Sequence, residues 1–220
     1  MATIEGKTVV QSFEIASRIC KEVGSLHELL QDQLTEAIGS ASREHKTSWG
    51  IAAEGFSDDR LDESEWLYTD ILFALPLKSS GKGNKPIQCY VGYQISMFGD
   101  GIALPENKEP LLHVLCWADA PSFEDGNYQG FPVLDDEING FDVVGNHLLY
   151  WGSANAAWNE RGWTFSLRLL QLNTPDDLQT QVIAPVLALL NAQSVSTISL
   201  ANLPAIVRYP SKEELLRNIT

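Results

Sequence analysis

Apolar side chains recur every three or four residues near the start of the chain, between positions 11 and 44. The stripe consists of Phe13, Ala16, Ile19, Cys20, Val23, Leu26, Leu30, Leu34 and Ile38. A repeat of this period lies along one face of an amphipathic helix. Gly24 falls inside the pattern and predicts a kink or a division into two helices. The stripe therefore predicts a long N-terminal helix with one apolar face.

The period changes to two in the middle of the chain, which is typical of half-buried antiparallel strands. The inward positions would be Leu67, Thr69, Ile71, Phe73, Leu75 and Leu77 in one strand and Ile87, Cys89, Val91, Tyr93, Ile95 and Met97 in the next. The polar, glycine-rich segment 79–85 predicts a hairpin between them. Further strands are predicted within 111–120, 146–154 and 162–173. The first of these is expected to be central, because it is apolar on both faces.

A second helix is predicted to begin at Thr174. A threonine can cap the helix, Pro175 suits the first helical position, and Asp176 and Asp177 suit the positive end of the helix dipole. We expect this helix to run to about Asn191 with a bend at Pro185. Ser211 and Glu214 have the spacing of a capping box, which predicts a last short helix.

These elements predict the α+β class and a single domain over residues 1–220. Most links between strands are too short for helical crossovers, so the sheet should be mainly antiparallel. We expect about five strands, with the two long helices on one face. The opposite face would carry Tyr68, Asp70, Tyr90, Gln94, Ser166 and Arg168. Such a face is either a solvated sheet surface or the lining of a small-molecule pocket.

The charge balance narrows the choice of partners. The chain has 29 acidic and 15 basic residues, a net charge of −14. This sign disfavours broad binding to nucleic acids and to anionic membranes, and it favours a basic protein partner. The three cysteines show no framework spacing, which favours a reducing compartment. The N-terminus lacks a secretory pattern and no apolar run is long enough to span a bilayer, so a cytoplasmic location is expected.

Two segments concentrate the acidic residues together with aromatic ones. Residues 123–137 hold five carboxylates and residues 54–66 hold six, and no Lys or Arg occurs between Lys108 and Arg161. Both segments are predicted to be loops, and their aromatic residues include Phe56 and Phe123. The predicted partner-binding residues are Asp58, Asp59, Asp62, Trp66, Asp125, Tyr128, Phe131, Asp135, Asp136 and Glu137. Aromatic side chains would anchor a partner, and carboxylates would steer a basic one.

Part of the acidic segment 123–137 also resembles a calcium loop. Asp125, Asn127, Gln129 and Gly130 follow the template, and Asp136 stands at the twelfth position. Pro132 lies within the loop, however, and no helical pattern flanks it. A solvated, turn-rich loop is the simpler interpretation.

Catalytic patterns are weak throughout the chain. It lacks the GxSxG, SxxK and HExxH motifs. Glu106 and Lys108 match the (D/E)xK fragment of a metal-dependent nuclease, with Asp70 upstream, but prolines flank that fragment. We therefore assign no catalytic residues, metal ligands or cofactor.

The sequence predicts a non-enzymatic acidic protein-binding module. A toxin-neutralising or inhibitor-like protein that engages a basic partner is its most concrete form. The alternatives are a hydrolase or nuclease that uses carboxylates with a divalent metal, and a small-molecule binder on the open sheet face. The sequence does not predict the oligomeric state.

Overall fold

The computed structural model describes residues 6–61, 67–81, 85–98, 109–121, 123, 141–151, 162–192, 200–211 and 213–214. The helices are α1 (Gly6–Arg43), α2 (Pro175–Leu178) and α3 (Ala184–Asn191), with a π-helical turn at Gln179–Ile183 and a 3-10 turn at Leu169–Gln171. The strands are β1 (Trp49–Ile51), β2 (Phe56–Leu61), β3 (Tyr68–Ser79), β4 (Cys89–Ser96), β5 (Leu111–Trp117), β6 (Phe141–Val144), β7 (Leu148–Trp151) and β8 (Gly162–Arg168).

The strands form one antiparallel sheet, which confirms the predicted α+β class. Its order is β1-β3-β4-β5-β8-β7-β6, and β2 also pairs with β3. The described residues contain eight strands instead of about five. The strands not predicted are β1, β2 and β6. They are short, and β2 has the sequence FSDDRL, in which no apolar face is visible. Pairing along β3 decides its conformation.

Both helical regions pack on the same sheet face, as predicted. The core joins Leu30, Leu34 and Ile38 of α1 to Val186 and Leu189 of α3, and the inward side chains of the sheet complete it. These include Phe73, Leu75, Val91, Tyr93, Val114, Trp163 and Phe165. Burying this many large apolar side chains supplies the main stabilisation of the fold.

The predicted break at Gly24 is wrong, because α1 is continuous through that position. A Cβ at residue 24 would meet no atom within 4 Å, so packing does not require a glycine there. The apolar stripe of α1 is also buried to different extents along the helix. Val23 is the first buried residue of α1, whereas Phe13 is 58% exposed and Ile19 is 43% exposed.

The second helical region begins as predicted. The Thr174 side chain accepts a hydrogen bond from the Asp177 N–H at 3.1 Å, and Asp177 Oδ2 accepts one from the Thr174 N–H at 3.0 Å. The irregularity of the helix lies at the π-helical turn, where the Ala184 N–H bonds to the Gln179 carbonyl. Pro185 follows at once, and the wider turn accommodates a residue that has no N–H to donate.

The substitution Thr174→Ala should lower the free energy of unfolding by about 1 kcal/mol, because it removes the cap. The matched control is Thr180→Ala, which removes an exposed hydroxyl bonded to the Asp176 carbonyl inside the same helix. Urea denaturation should show a change within about 0.5 kcal/mol for that control. Equal losses in the two variants would contradict a specific role for the cap.

The effect of Thr174→Ala should also depend on pH. Hydrogen bonds from the Thr174 side chain and the Asn173 N–H lower the pKa of Asp177 below its ordinary value of 3.8. A depressed carboxyl pKa stabilises the fold above that ordinary value, and this contribution is lost as the pH falls through the folded-state pKa. The difference between wild type and variant should therefore narrow in acid.

Candidate protein-binding surface

Residues 56–61 of the acidic segment 54–66 form strand β2 at one edge of the sheet. The prediction that these residues form a loop is therefore wrong. Successive side chains of a strand point to opposite faces. Phe56, Asp58 and Arg60 therefore lie on the face away from the helices, and Ser57 and Asp59 lie on the helix side. Asp58 and Asp59 were both predicted to bind the partner, but the strand directs their carboxylates in opposite directions.

Contacts of Phe123 join the two acidic segments. Its N–H donates a hydrogen bond to Asp58 Oδ2 at 2.9 Å. The Arg60 guanidinium lies over its ring, 5.2 Å from the centroid, as in a cation–π contact. Asp58 Oδ1 also accepts a hydrogen bond from the Asp59 N–H at 3.0 Å. Asp58 thus holds the first residue of segment 123–137 against β2, which is a structural role. Asp59 is exposed to solvent.

A row of aromatic side chains continues from β2 across the same sheet face. The Phe56 and Tyr90 rings meet edge to face with centroids 6.1 Å apart. Tyr90 is paired with Trp117 in the register of β4 and β5, and the Trp117 and Trp151 rings lie 4.7 Å apart. We call Phe56, Tyr90, Trp117 and Trp151 the aromatic row. Phe56 is 36% exposed and the other three are half-buried.

Gly162 lies on the strand between the two strands that carry the tryptophans of this row. Gly162 of β8 pairs with Trp151, and β8 separates β7 from β5 in the sheet. A Cβ at Gly162 would lie 4.0 Å from the Trp151 Cβ. The indole N–H of Trp117 is buried without a hydrogen-bond partner. Such a donor is costly to leave unsatisfied.

His27 fixes the position of β2 relative to α1. The Tyr93 hydroxyl donates to the His27 carbonyl at 2.7 Å and lies 3.0 Å from His27 Nδ1. Ser57 Oγ of β2 lies 3.3 Å from His27 Nε2. Burial lowers the pKa of His27, and the nearby Glu28 partly offsets this effect. A neutral imidazole can donate at one nitrogen and accept at the other, which suits these contacts.

Most of the predicted partner-binding residues lie outside the described residues. These are Asp62, Trp66, Asp125, Tyr128, Phe131, Asp135, Asp136 and Glu137. The same holds for the calcium-like loop from Asp125 to Asp136 and for the Glu106–Lys108 fragment. Their roles stay predictions.

The sheet face opposite the helices is not open in the way that the sequence suggested. Tyr68 is 42% exposed, but Asp70, Gln94 and Ser166 are each at most 1% exposed. Arg168 is partly buried and forms an ion pair with Glu109 at 2.9 Å. The expectation of a solvated face is therefore wrong at its centre. The small-molecule alternative stays a prediction, and three of the residues expected to line its pocket are buried.

The centre of that face is a buried polar array. Gln94 Nε2 donates to Asp70 Oδ1 at 2.8 Å. Ser166 Oγ lies 2.6 Å from His113 Nδ1 and 2.7 Å from the Tyr209 hydroxyl. Burial raises the pKa of Tyr209, so its hydroxyl stays protonated.

A serine bonded to a histidine is also the beginning of a nucleophilic site. His113 and Ser166, however, are each 1% exposed. A substrate could not reach the Ser166 hydroxyl, and a structural role follows for this pair. Sequence reasoning placed Ser166 on this face but did not pair it with His113, since that contact depends on the register of β5 and β8.

The described residues give no support for a metal centre. Within the ranges given above, no group of three or more His, Cys, Asp or Glu side chains is placed to hold an ion. In the same part of the chain, no helix combines the length and the apolar character needed to cross a bilayer.

Comparisons with family models, with curated proteins and with solved structures give no match for this chain.

Proposed function

We propose that this protein is a non-enzymatic, acidic protein-binding module that engages a more basic protein. An inhibitor-like or toxin-neutralising protein is the most specific form of this proposal. The observation that carries it is the contact of Phe123 with Asp58, at 2.9 Å between the N–H and the carboxylate. This contact brings the start of one acidic segment against the other, although 65 positions separate the two residues.

The charge pattern supports a basic partner. Eleven carboxylates lie in segments 54–66 and 123–137, against Arg60 as their one basic residue. The Arg60 side chain lies over the Phe123 ring. A surface of one sign raises the association rate of an oppositely charged partner, and the effect weakens with salt.

The aromatic row supports an anchoring role beside these charges. Interfaces commonly combine aromatic side chains, which contribute most of the binding energy, with a charged rim. Phe56 is the most accessible member of the row and lies on the same strand as Asp58 and Asp59. Asp58 lies on the same sheet face as Phe56, so a basic protein could contact this ring and the Asp58 carboxylate together, whereas Asp59 points to the helix side.

The test begins with the triple variant Asp135→Asn, Asp136→Asn and Glu137→Gln. The intact chain is immobilised, a partner is captured from the native host lysate, and its association kinetics are then measured. We expect the variant to associate about tenfold more slowly at low salt, because three steering charges are lost. The difference should nearly vanish at about 1 M salt, where the screening length is about 3 Å.

The matched control removes three exposed carboxylates from α1 and the turn that follows it, through Glu28→Gln, Glu36→Gln and Glu44→Gln. Net charge changes equally in both triple variants, so only the position of the charges differs. A second arm, Phe56→Ala, should speed dissociation and leave association nearly unchanged. The proposal fails if the same partner binds the acidic-segment variant at wild-type rates, or if the control slows association as much.

A further inference from the structure

The N-terminal part of α1 presents an exposed apolar face. Residues 6–22, which we call the α1 arm, contain no buried side chain, and burial begins at Val23. At 1.5 Å per residue the arm is about 25 Å long. Its apolar stripe continues the stripe that packs on the sheet farther along the helix. Val9, Val10, Phe13, Ile15 and Ile19 of the arm are 42–58% exposed.

The inner side of the arm and the end of the sheet form an apolar groove of about 360 Å³. Ile15, Ile19 and Val23 line it on the helix side, and Tyr68 and Phe98 line it on the sheet side. Ser12 is a polar residue that the helix contributes to its lining. The groove is therefore continuous with the exposed stripe of the arm.

The size of this surface matches an interface between proteins. Eight large apolar residues of the arm and the groove wall are 40–58% exposed: Val9, Val10, Phe13, Ile15, Ile19, Leu67, Tyr68 and Phe98. If an aromatic side chain offers about 150–250 Å² of surface and an aliphatic one somewhat less, they leave on the order of 700 Å² of apolar area in water. A standard interface buries about 800 Å² on each partner, and a monomer rarely exposes a patch this large.

The charge of the arm distinguishes it from the rest of the molecule. It carries Lys7, Arg18 and Lys21 against Glu14 and Glu22, whereas the whole chain has a net charge of −14. The helical period of about 100° turns these five residues away from Ala16 and Val23. The arm therefore offers no acidic surface to the basic partner proposed above, and it brings no strong repulsion between two copies of the chain.

We propose that the α1 arm is a homodimerisation element, in which two copies pair antiparallel and each arm lies in the groove of the other. The arm is itself an apolar-faced helix, so it has the shape and chemistry that the groove requires. A two-fold axis buries the same patch on both copies at once, which is the commonest form of protein self-association. This inference does not depend on the proposed function.

The experiment is sedimentation velocity of the full chain over a range from about 1 to about 100 µM. The wild-type mass should reach twice that of the chain as concentration rises. The double variant Phe13→Asp and Ile19→Asp should raise the dissociation constant of the dimer about 100-fold or more, because it places charges in the apolar interface. The control, Gln11→Asp with Ser25→Asp, adds the same two charges on the outer side of the helix and should dimerise like wild type.

Hydrogen exchange gives a readout that does not require a variant to fold. Amides of residues 10–22 in the wild-type chain should be more protected at high concentration than at low concentration. A wild-type chain that stays monomeric across the range overturns the proposal, as does protection confined to another region. The proposal also fails if the double variant is folded and dimerises as tightly as wild type. A monomeric wild type whose double variant loses the basic partner would assign this surface to that partner instead.

Discussion

Gly92→Ala should lower the free energy of unfolding by at least about 4 kcal/mol, a loss large enough to unfold many domains of ordinary stability. Gly92 lies in β4 opposite Ala74 of β3. A Cβ at position 92 would overlap the carbonyl oxygen of Phe73 and would lie 2.9 Å from the Ala74 Cα. Both obstacles are backbone atoms of a central strand, so neither can move without breaking the pairing of β3 with β4.

The matched control for this prediction is Gly24→Ala in α1. A Cβ there meets nothing within 4 Å, and alanine favours the helix by about 0.5–1 kcal/mol relative to glycine. Urea denaturation should therefore show a gain for Gly24→Ala and a large loss for Gly92→Ala. Wild-type stability of the Gly92 variant would mean that the two strands do not approach as closely as described.

Ser166→Ala should cost about 2–3 kcal/mol, the second largest expected effect. The Ser166 hydroxyl contacts both His113 and Tyr209, and all three residues are buried. Alanine removes that hydroxyl and leaves each neighbour with one hydrogen bond fewer in an environment that water does not reach. The loss should appear in the free energy of unfolding measured at neutral pH.

Ser96 provides an unusually close control for this substitution. It is also buried, on β4 and the same sheet face, but its hydroxyl has no hydrogen-bond partner. Ser96→Ala should therefore be neutral or slightly stabilising, because burying an unpaired hydroxyl costs free energy. Equal losses in the two serine variants would show that side-chain volume, and not hydrogen bonding, sets the stability of this face.

The acidic segments and the α1 arm are proposed to bind different partners, because their chemistry differs. The acidic segments combine charge of one sign with the exposed end of the aromatic row, which suits recognition of a different, basic protein. The arm is nearly neutral and strongly apolar, which suits self-association. Salt should therefore weaken binding of the basic partner but should not weaken the dimer.

The candidate surface shows how much of a site the sequence can reveal. Composition identified the two acidic segments and placed Phe56 and Phe123 within them. It could not indicate that Asp58 bonds to the Phe123 N–H, because that contact depends on how distant parts of the chain come together. The sequence also could not link Tyr90 to Trp117 or Trp151, since the register of four strands brings these rings side by side.

Local patterns alone determined the elements whose signal lies within a few residues. The alternation in β3 and β4, the apolar positions of α1 and the cap at Thr174 were all predictable, because periodicity and capping are short-range effects. Only the tertiary structure decided that β2 is a strand, that the polar centre of the sheet is buried, and that the first turns of α1 stay exposed. Each of these depends on which surfaces meet, and burial is a property of the assembled chain and not of a local pattern.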